Sequence, residues 1–424
     1  MLDPQRTIAE LKELRALTGD EHGAQRVAFT PIWVKAREWF AAKLAEIPGV
    51  ETHRDAAGNL WSTLRGESEQ ALLIGGHLDS VPNGGWLDGC LNVVAGIEIL
   101  RRLSAQYGGR PPVTVRLVDW ADEEGARFSK SLFGSSAFSG NLDMAEARAL
   151  LDRSGIRLPD ALAEVGIDFE NVLAAGTERA RAAAYIELHI EQGPVLLDLD
   201  LPLGAVLGTF GVERHAITFR GQAAHSGSTP MNRRRDAFLA AGKMASEIYA
   251  IAERSGKPGA PNGAGVCTIG SCTTKPGIVT SVVEECRLTL DQRHLDPAAL
   301  ARMHAEAREA SERFAREGNV EVAWERIWHI APRPFHPALI DLCDAAIRET
   351  CGTSHRLPSG PLHDAAEVAA AGIPTVMMFT QSLHGISHNK IEDTKEEHLA
   401  LAVTAFDKLA DKALAWIAAP GGVR

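Results

Sequence analysis

Apolar runs typical of buried strands alternate with helical patterns through the first half of the chain, and this alternation restricts the fold. The segment "ALLIGGH" (71–77) predicts a buried strand, "NVVAGIEILRRLSAQY" (92–107) a helix, and "VTVRLVDW" (113–120) the next strand. A further strand is predicted at "AYIELHI" (184–190). Strands separated by helices form parallel sheets, because a crossover must return the chain before the next strand begins. The sequence therefore predicts an α/β domain with a mostly parallel central sheet.

The pattern changes after about residue 208, which indicates an inserted module. In "CRLTLDQR" (286–293) apolar and polar residues alternate, as in an antiparallel strand with one exposed face. The α/β pattern resumes after about residue 327, and "GIPTVMMFT" (372–380) predicts another buried strand. We therefore predict an α/β domain of residues 1–207 and 327–424 and an inserted, smaller α+β domain of residues 208–326.

Composition and charge argue against several kinds of partner. The chain has 424 residues and a formal net charge of -11, which argues against nucleic acid or an anionic membrane as the main partner. We see no apolar run as long as a membrane span, and the charged N-terminal segment lacks the apolar core of a signal peptide. The six cysteines form no CxxC pair, which favours free thiols in a reducing compartment. We therefore expect a cytoplasmic protein.

Four segments that follow strand-like runs carry side chains suited to metal binding. They contain His77, Asp79 and Asp88; Asp122, Glu123 and Glu124; Glu187, His189 and Glu191; and His384 and His388. Parallel strands deliver their carboxyl ends to one edge of a sheet, so residues far apart in sequence can meet there. Histidine and carboxylate ligands without cysteine fit zinc, manganese, cobalt or nickel. Taken alone, each segment is equally well explained by a structural histidine or by a solvated pair of acidic residues. The prediction of a metal site depends on the occurrence of all four segments in one chain.

Six motifs together carry a resemblance to a known family. They are "HLDSVPNGGWLDG", "DEEGARF", "LHIEQGPVL", "AHSGSTPMNRRRDA", "PSGPLHDA" and "GISHNKIED". In this order they resemble the M20 metallopeptidase clan, in its branch of N-carbamoyl-L-amino acid hydrolases and allantoate amidohydrolases. The resemblance extends through nearly the whole chain. It implies a catalytic domain with two divalent ions per protomer, and an inserted lid that also pairs two subunits into a homodimer.

By this resemblance, five protein ligands hold the two ions. Asp88 bridges both ions. His77 and His189 complete the ligands of one ion, and Glu124 and His388 complete those of the other. The ions are zinc, or else manganese, cobalt or nickel.

The resemblance also implies catalytic and substrate-binding roles. Glu123 is the general base, and His225 in the inserted domain stabilises the oxyanion, often in the partner subunit's site. Arg293 holds the substrate carboxylate, because a planar guanidinium binds a carboxylate in bidentate fashion. The other expected site residues are Gln192 and Thr280, which contact the substrate, and Asp79 and His363, which support the ligands.

At two positions the sequence departs from the family pattern, and the identity of the substrate is therefore not determined by the resemblance. Thr280 stands where an asparagine contacts the substrate, and Asn92 stands where a glycine is common. The main hypothesis is hydrolysis of the linear C–N bond of an N-carbamoyl-L-amino acid or a related ureido acid such as allantoate. The first alternative is a dipeptidase or N-acyl-L-amino acid deacylase of the same clan. The second is a non-catalytic binding protein that retains the fold, against which the complete ligand set and Glu123 argue.

Overall fold

The computed structural model describes residues 1–256 and 264–419, which form two compact units. Unit 1 comprises Met1–Leu207, Phe335–Arg356 and the chain from Pro361 onward. Unit 2 comprises Gly208–Pro334 and Leu357–Gly360.

The described residues form strands and helices with the following bounds. The strands are β1 (Gly19–Asp20), β2 (Gly23–Ala24), β3 (Val50–Arg54), β4 (Leu60–Leu64), β5 (Ser68–His77), β6 (Val113–Trp120), β7 (Ala182–Ile190), β8 (Leu203–Thr209), β9 (Gly211–Arg220), β10 (Val266–Lys275), β11 (Glu285–His294), β12 (Glu321–Ile330), β13 (Arg333–Pro334), β14 (His355–Ser359) and β15 (Thr375–Thr380). The α-helices are α1 (Pro4–Thr18), α2 (Pro31–Ala45), α3 (Cys90–Tyr107), α4 (Phe133–Ser139), α5 (Met144–Ala149), α6 (Leu158–Glu164), α7 (Val195–Asp198), α8 (Ala237–Ser255), α9 (Pro297–Glu317), α10 (Pro337–Cys351), α11 (Asp364–Ala370) and α12 (Glu396–Ala418).

The main sheet of unit 1 has the strand order β8–β15–β7–β5–β6–β4–β3. Strands β15, β7, β5 and β6 run parallel to one another. The remaining pairs of this order, β8 with β15, β4 with β6 and β3 with β4, are antiparallel. Every residue of β6 and β15 is buried, as expected for strands covered on both faces. The predicted α/β class with a mostly parallel central sheet is confirmed.

The parallel strands bring the chemically distinctive residues to one edge of the sheet. Strand β5 ends at His77, and Glu123 and Glu124 follow the end of β6. His189 is the penultimate residue of β7, and His388 lies in the loop after β15. Because these strands point the same way, their carboxyl ends form the edge at which α/β sheets usually bind ligands.

Unit 2 is an antiparallel sheet with the order β10–β11–β9–β12, against which helices α8 and α9 pack. Both helices begin after an aspartate, Asp236 or Asp296, whose carboxylate accepts backbone N–H groups of the first turn. In β11 the apolar residues Cys286, Leu288 and Leu290 are buried in the core of the unit, as the alternating sequence predicts. The predicted boundary at residue 326 falls inside β12, which continues unit 2.

Among the described helices, none combines the length and the apolar character that a membrane span requires.

Unit 2 also contains a stacked pair of histidines, of which His215 is buried and His304 is half-buried. The ring centroids of His215 on β9 and His304 on α9 lie 4.4 Å apart with an interplanar angle of 18°. The Trp324 ring lies 5.4 Å from each of them. Burial and the neighbouring His304 lower the pKa of His215 to about 4. Two arginines reinforce this direction, whereas Glu213 opposes it.

We expect the contribution of His215 to the stability of the protein to fall as the pH drops from about 6.5 to about 4. An unfolded histidine takes up its proton near pH 6.5, whereas folded His215 resists protonation until about pH 4. In this window the unfolded state binds more protons at this site, so the contribution of His215 to the free energy of unfolding decreases, on the order of 1–3 kcal/mol. Above the window the contribution stays constant. Melting temperatures across this range should fall less steeply for His215→Phe, which can stack without titrating, and an unchanged profile would contradict the assignment.

Candidate metal centre

A glycine-rich loop returns the chain from His77 to Asp88. Gly89, which follows Asp88 directly, has a φ of 66°, in the left-handed region that favours glycine. A β-carbon at this position would collide with the His77 ring. The loop therefore closes tightly against the end of β5, and His77 Nε2 lies 3.7 Å from Asp88 Oδ1.

His77, Asp88 and His189 form the first group of candidate ligands. Their potential ligand atoms all lie within 4.8 Å of one another, and all three residues are buried. His189 Nε2 lies 3.1 Å from Asp88 Oδ1. Within the described residues, neither histidine Nε2 atom has a well-aligned hydrogen-bond partner. Buried ring nitrogens that converge on one carboxylate oxygen in this way are suited to binding a cation.

Asp88, Glu124 and His388 form the second group. His388 Nε2 lies 3.2 Å from Glu124 Oε2 and 3.5 Å from Asp88 Oδ2. Asp88 thus turns Oδ1 toward the first group and Oδ2 toward the second. A single carboxylate shared in this way has the geometry of a bridging ligand.

A third group overlaps the first at His189 and contains Glu187 and His363. The His189 and His363 ring centroids lie 4.4 Å apart. Glu187 Oε2 accepts hydrogen bonds from the Tyr185 hydroxyl at 2.7 Å and from the Ala365 N–H at 3.1 Å. Because Glu187 is held by these donors, it is well placed to support the His189 ring electrostatically.

Asp79, predicted to support the ligands, contacts His77 and also the segment after β6. The contact of His77 Nδ1 is with the backbone oxygen of Asp79, at 3.1 Å, whereas the Asp79 carboxylate is 3.7 Å away. The carboxylate instead accepts the backbone N–H groups of Glu123 and Glu124, at 3.2 and 3.1 Å. Asp79 therefore fixes the segment after β6, and its backbone orients His77.

Glu123 lies beside the two groups without belonging to either. Its Oε2 is 3.6 Å from His77 Nε2, and the side chain is buried. Burial and the nearby carboxylates, chiefly Asp364 and Glu124, raise the pKa of Glu123 well above its usual range. The adjacent glutamates therefore face different groups, since the Glu123 carboxylate lies near His77 and the Glu124 carboxylate lies near His388.

The electrostatics of the centre indicate a place for cations. Burial and the negative charge of Asp88 raise the pKa of Glu124 well above its usual range. Burial acts in the same direction on Asp88 itself, but His189, His77 and His388 outweigh it and hold the pKa of Asp88 below its usual range. Burial lowers the pKa of His189, but Asp88 and Glu187 outweigh it and raise this pKa to about 9. Buried carboxylates so close together favour a bound positive charge, and the donor set fits divalent ions.

Sequence reasoning missed two residues beside Asp88. The Ser387 hydroxyl lies 2.8 Å from Asp88 Oδ2 and 2.9 Å from Glu392 Oε2. Glu392 Oε1 accepts the backbone N–H groups of Leu87 and Asp88 at 3.2 and 3.1 Å. Both residues belong to the motif "GISHNKIED", from which the sequence analysis took only His388 as a site residue.

Gln192, predicted to contact the substrate, lies at the candidate metal centre. Its Nε2 donates to Asp88 Oδ2 at 2.8 Å and to Ser387 Oγ at 3.2 Å. Gln192 and His388 both have positive φ angles, of 59° and 55°. Such conformations are uncommon for non-glycine residues and cluster at functional sites. Glu191, by contrast, accepts the N–H groups at the start of α7 and is held away from the ligand groups.

The other predicted residues lie in unit 2. His225 Nδ1 accepts the backbone N–H groups of Gly227 and Ser228 at 3.0 and 3.2 Å. The ring proton is therefore on Nε2, which leaves a donor available. The Thr280 carbonyl accepts the N–H of Ser226 at 3.0 Å, so Thr280 adjoins the His225 loop.

Arg293 lies on the wall of a cavity in unit 2 of about 550 Å³. Its Nε donates to Asp291 Oδ1 at 2.8 Å, and its Nη1 donates to the Gly360 carbonyl at 3.2 Å. Arg214 donates to the other oxygen of Asp291 at 2.7 and 2.9 Å. One carboxylate thus serves two guanidinium groups, which leaves a net positive charge facing the cavity.

Arg293 and His225 lie near opposite ends of the same sheet. In the antiparallel pairing of β9 and β11, Val212 is opposite Arg293 and Arg220 is opposite Glu285. The eight residue steps from Val212 to Arg220 span about 26 Å at about 3.3 Å per residue. His225 lies five residues further along the chain than Arg220.

The sequence profile of peptidase family M20/M25/M40 matches residues 73–412, and the chain belongs to this family. It is 34% identical over 378 residues to the N-carbamoyl-L-amino acid amidohydrolase of Geobacillus stearothermophilus, covering 88% of this chain and 90% of that protein. It is 32% identical over 387 residues to the allantoate amidohydrolase of Escherichia coli (strain K12), covering 90% of each chain. The predicted resemblance to this branch of the M20 clan is confirmed.

A solved structure supports the same fold. The amidase of the hydantoinase/carbamoylase family from Burkholderia phymatum superposes with a TM-score of 0.84 at 31% identity, covering 98% of this chain and 99% of that one.

Proposed function

We propose that this protein is a dinuclear metal-dependent amidohydrolase. It hydrolyses the linear C–N bond of an N-carbamoyl-L-amino acid or of a related ureido acid such as allantoate. The observation that carries the proposal is Asp88, whose two oxygens face two separate groups of candidate ligands. Relatives named for these two substrates, each about a third identical over most of both chains, support the substrate class.

In this proposal, five residues of unit 1 bind the metal ions and a sixth, Glu123, transfers the proton. His77, Asp88 and His189 would hold one divalent ion, and Asp88, Glu124 and His388 the other. Such ions act as Lewis acids on the scissile carbonyl and on the attacking water. Glu123, buried beside both groups, takes a proton from the water and delivers it to the leaving nitrogen.

Elemental analysis and a substrate screen test this function directly. The full chain should bind two equivalents of Zn²⁺, Mn²⁺, Co²⁺ or Ni²⁺ and hydrolyse N-carbamoyl-L-amino acids or allantoate. Faster turnover of dipeptides or N-acyl-L-amino acids would favour the alternative enzymes of the clan. Two bound ions with no turnover of any of these substrates would favour a binding protein, and the absence of bound metal would refute the dinuclear centre.

Arg293 is proposed to hold the substrate carboxylate, which the net positive charge around its cavity supports. We expect Arg293→Lys to lower kcat/KM by about 10–100-fold, because the lysine keeps the charge and loses the bidentate fork. The change should appear mainly in KM, since the carboxylate is bound equally before and during the reaction. Arg287→Lys, on the same strand in an exposed pair with Glu325, is the matched control and should leave KM unchanged. Equal kinetics of the two variants would contradict the assignment.

His225 is proposed to act in the active site of a second copy of the chain. One amino-acid-sized substrate cannot reach Arg293 and His225 of the same unit 2, because about 26 Å of strand separates their ends of the sheet. If both residues serve one substrate, they come from different protomers. The exposed apolar residues Phe238, Leu239 and Tyr249 of α8 are suited to such an interface.

A mixing experiment tests the homodimer and the role of His225 together. Glu123→Gln and His225→Ala protomers should each be inactive alone. After subunit exchange, a mixed dimer has one site that lacks both groups and one intact site, so activity should return. Confirmed exchange without recovery would show that His225 acts within its own protomer. A fully active monomer would refute the need for a dimer.

A further inference from the structure

Asn92 is a departure from the family pattern that the proposed function does not use. It lies in the first turn of α3 and is fully buried. In the described residues, the pairing of parallel strands β5 and β7 extends as far as Ile74 and Ile186. His77 and His189 each lie three residues beyond the end of this pairing. The two histidines are therefore on strand ends that have separated from one another.

The side-chain amide of Asn92 occupies the space between these strand ends. Its Oδ1 accepts the N–H of Leu188 at 2.8 Å, and its Nδ2 donates to the carbonyl oxygen of Gly75. The first bond is one residue from His189, and the second is two residues from His77. A backbone N–H requires an acceptor and a carbonyl requires a donor, so a carboxamide satisfies both strands. A carboxylate of the same shape would set an oxygen against the Gly75 carbonyl.

Asn92 is also tied to the third residue of the first ligand group. Helix α3 begins at Cys90, two residues after Asp88, so Asn92 lies only four residues after the carboxylate that the two candidate groups share. Its contacts to β5 and β7 thus join the three chain segments that carry His77, His189 and Asp88.

We propose that Asn92 is a positioning residue that sets the spacing of His77, His189 and Asp88 for metal binding. The proposal rests on the proposed dinuclear function. Residues that orient ligands from outside the coordination sphere typically change metal affinity by about 10–100-fold when they are replaced. Asn92 is such a residue, and it acts through the backbone of two strands.

The test uses Co²⁺ as the probe, because its visible absorption reports ligand geometry independently of activity. We expect Asn92→Asp in the full chain to lower Co²⁺ affinity by about 10–100-fold and to shift the absorption bands. Asn92→Gly, which adds no charge, should lower the affinity by about 10-fold and also change the spectrum. Ser104→Ala is the matched control, since Ser104 is a buried polar residue of α3 that bonds the Pro48 carbonyl away from the centre. It should lower the melting temperature and leave the Co²⁺ affinity and spectrum unchanged.

Native affinity together with a native spectrum in both Asn92 variants would overturn the proposal. If Asn92→Asp does not fold, Asn92→Gly decides the question alone. If the wild-type chain itself binds no Co²⁺, the proposed function fails and this proposal fails with it. That result is distinguishable, because the positioning role alone fails when wild type and variants bind equally well.

Discussion

Glu123→Gln should lose most hydrolytic activity while it retains its bound metal. Glutamine has nearly the same shape as glutamate but cannot accept the proton of the attacking water. Loss of a general base typically lowers kcat by about 10²–10⁴-fold. Because Glu123 lies beside the two candidate ligand groups and belongs to neither, metal content should stay close to that of the wild type. Steady-state kinetics with elemental analysis of the same sample measure both effects.

Glu191→Gln is a suitable control for this experiment. Glu191 is also a buried glutamate at a strand end, but its carboxylate binds the first N–H groups of α7. This variant should keep native turnover, with at most a small loss of stability. Near-native turnover of Glu123→Gln would assign the base to another residue, and a large loss of metal would make Glu123 a ligand.

Asp88→Ala should abolish binding of both ions and with it all measurable activity. Both groups of candidate ligands depend on this carboxylate, one through each oxygen. Residues that only support the ligands typically change metal affinity by about 10–100-fold when they are replaced. Asp88 would bind the ions directly, so its removal should lower the affinity by at least about 100-fold. Elemental analysis after dialysis should find close to no retained metal.

Single-group variants sharpen this prediction. His77→Ala removes a ligand of the first group, and His388→Ala removes a ligand of the second. Each should retain about one equivalent of metal, whereas Asp88→Ala retains neither. If Asp88→Ala also keeps one equivalent, Asp88 does not bridge.

The wild-type protein should also be stabilised by its ions. A ligand that binds only the folded state at a hundred times its dissociation constant adds about 2.7 kcal/mol to the free energy of unfolding. The melting temperature of wild-type protein should therefore rise when metal is added to the chelator-treated chain. The melting temperature of Asp88→Ala should not respond, which separates binding at the centre from adventitious binding at the surface.

The sequence by itself determined the class of fold and the candidate ligands of unit 1. Alternating strand and helix patterns sufficed for the parallel core, because parallel strands need intervening crossovers. The segments that carry His77, Glu124 and His189 could be predicted to meet because parallel strands share the direction of their carboxyl ends, and the resemblance implied which of their residues are ligands. The local pattern of β11 likewise predicted its buried face, since side chains alternate along any strand.

The tertiary structure alone decided how the centre is supported. Glu392 accepts the N–H of Asp88 from 304 positions away in the chain, and no local pattern predicts such a contact. The Asp79 carboxylate, predicted to support the ligands, also accepts two N–H groups of the segment after β6, because the path of that loop brings them to it. In the sequence, Asn92 is only a departure from the glycine common in the family. In the structure, β5 and β7 separate beyond Ile74 and Ile186, and the Asn92 side chain accepts the N–H of Leu188 that this separation leaves unpaired.

The distance between His225 and Arg293 is a second result that only the structure supplies. In sequence both are polar residues of the inserted domain, and nothing local gives their separation. The register of β9 against β11 puts them near opposite ends of the sheet. Register depends on which residues face one another across the whole sheet. Sequence patterns determine which residue types follow each strand, whereas long-range pairing and loop paths decide which of those residues come within bonding distance.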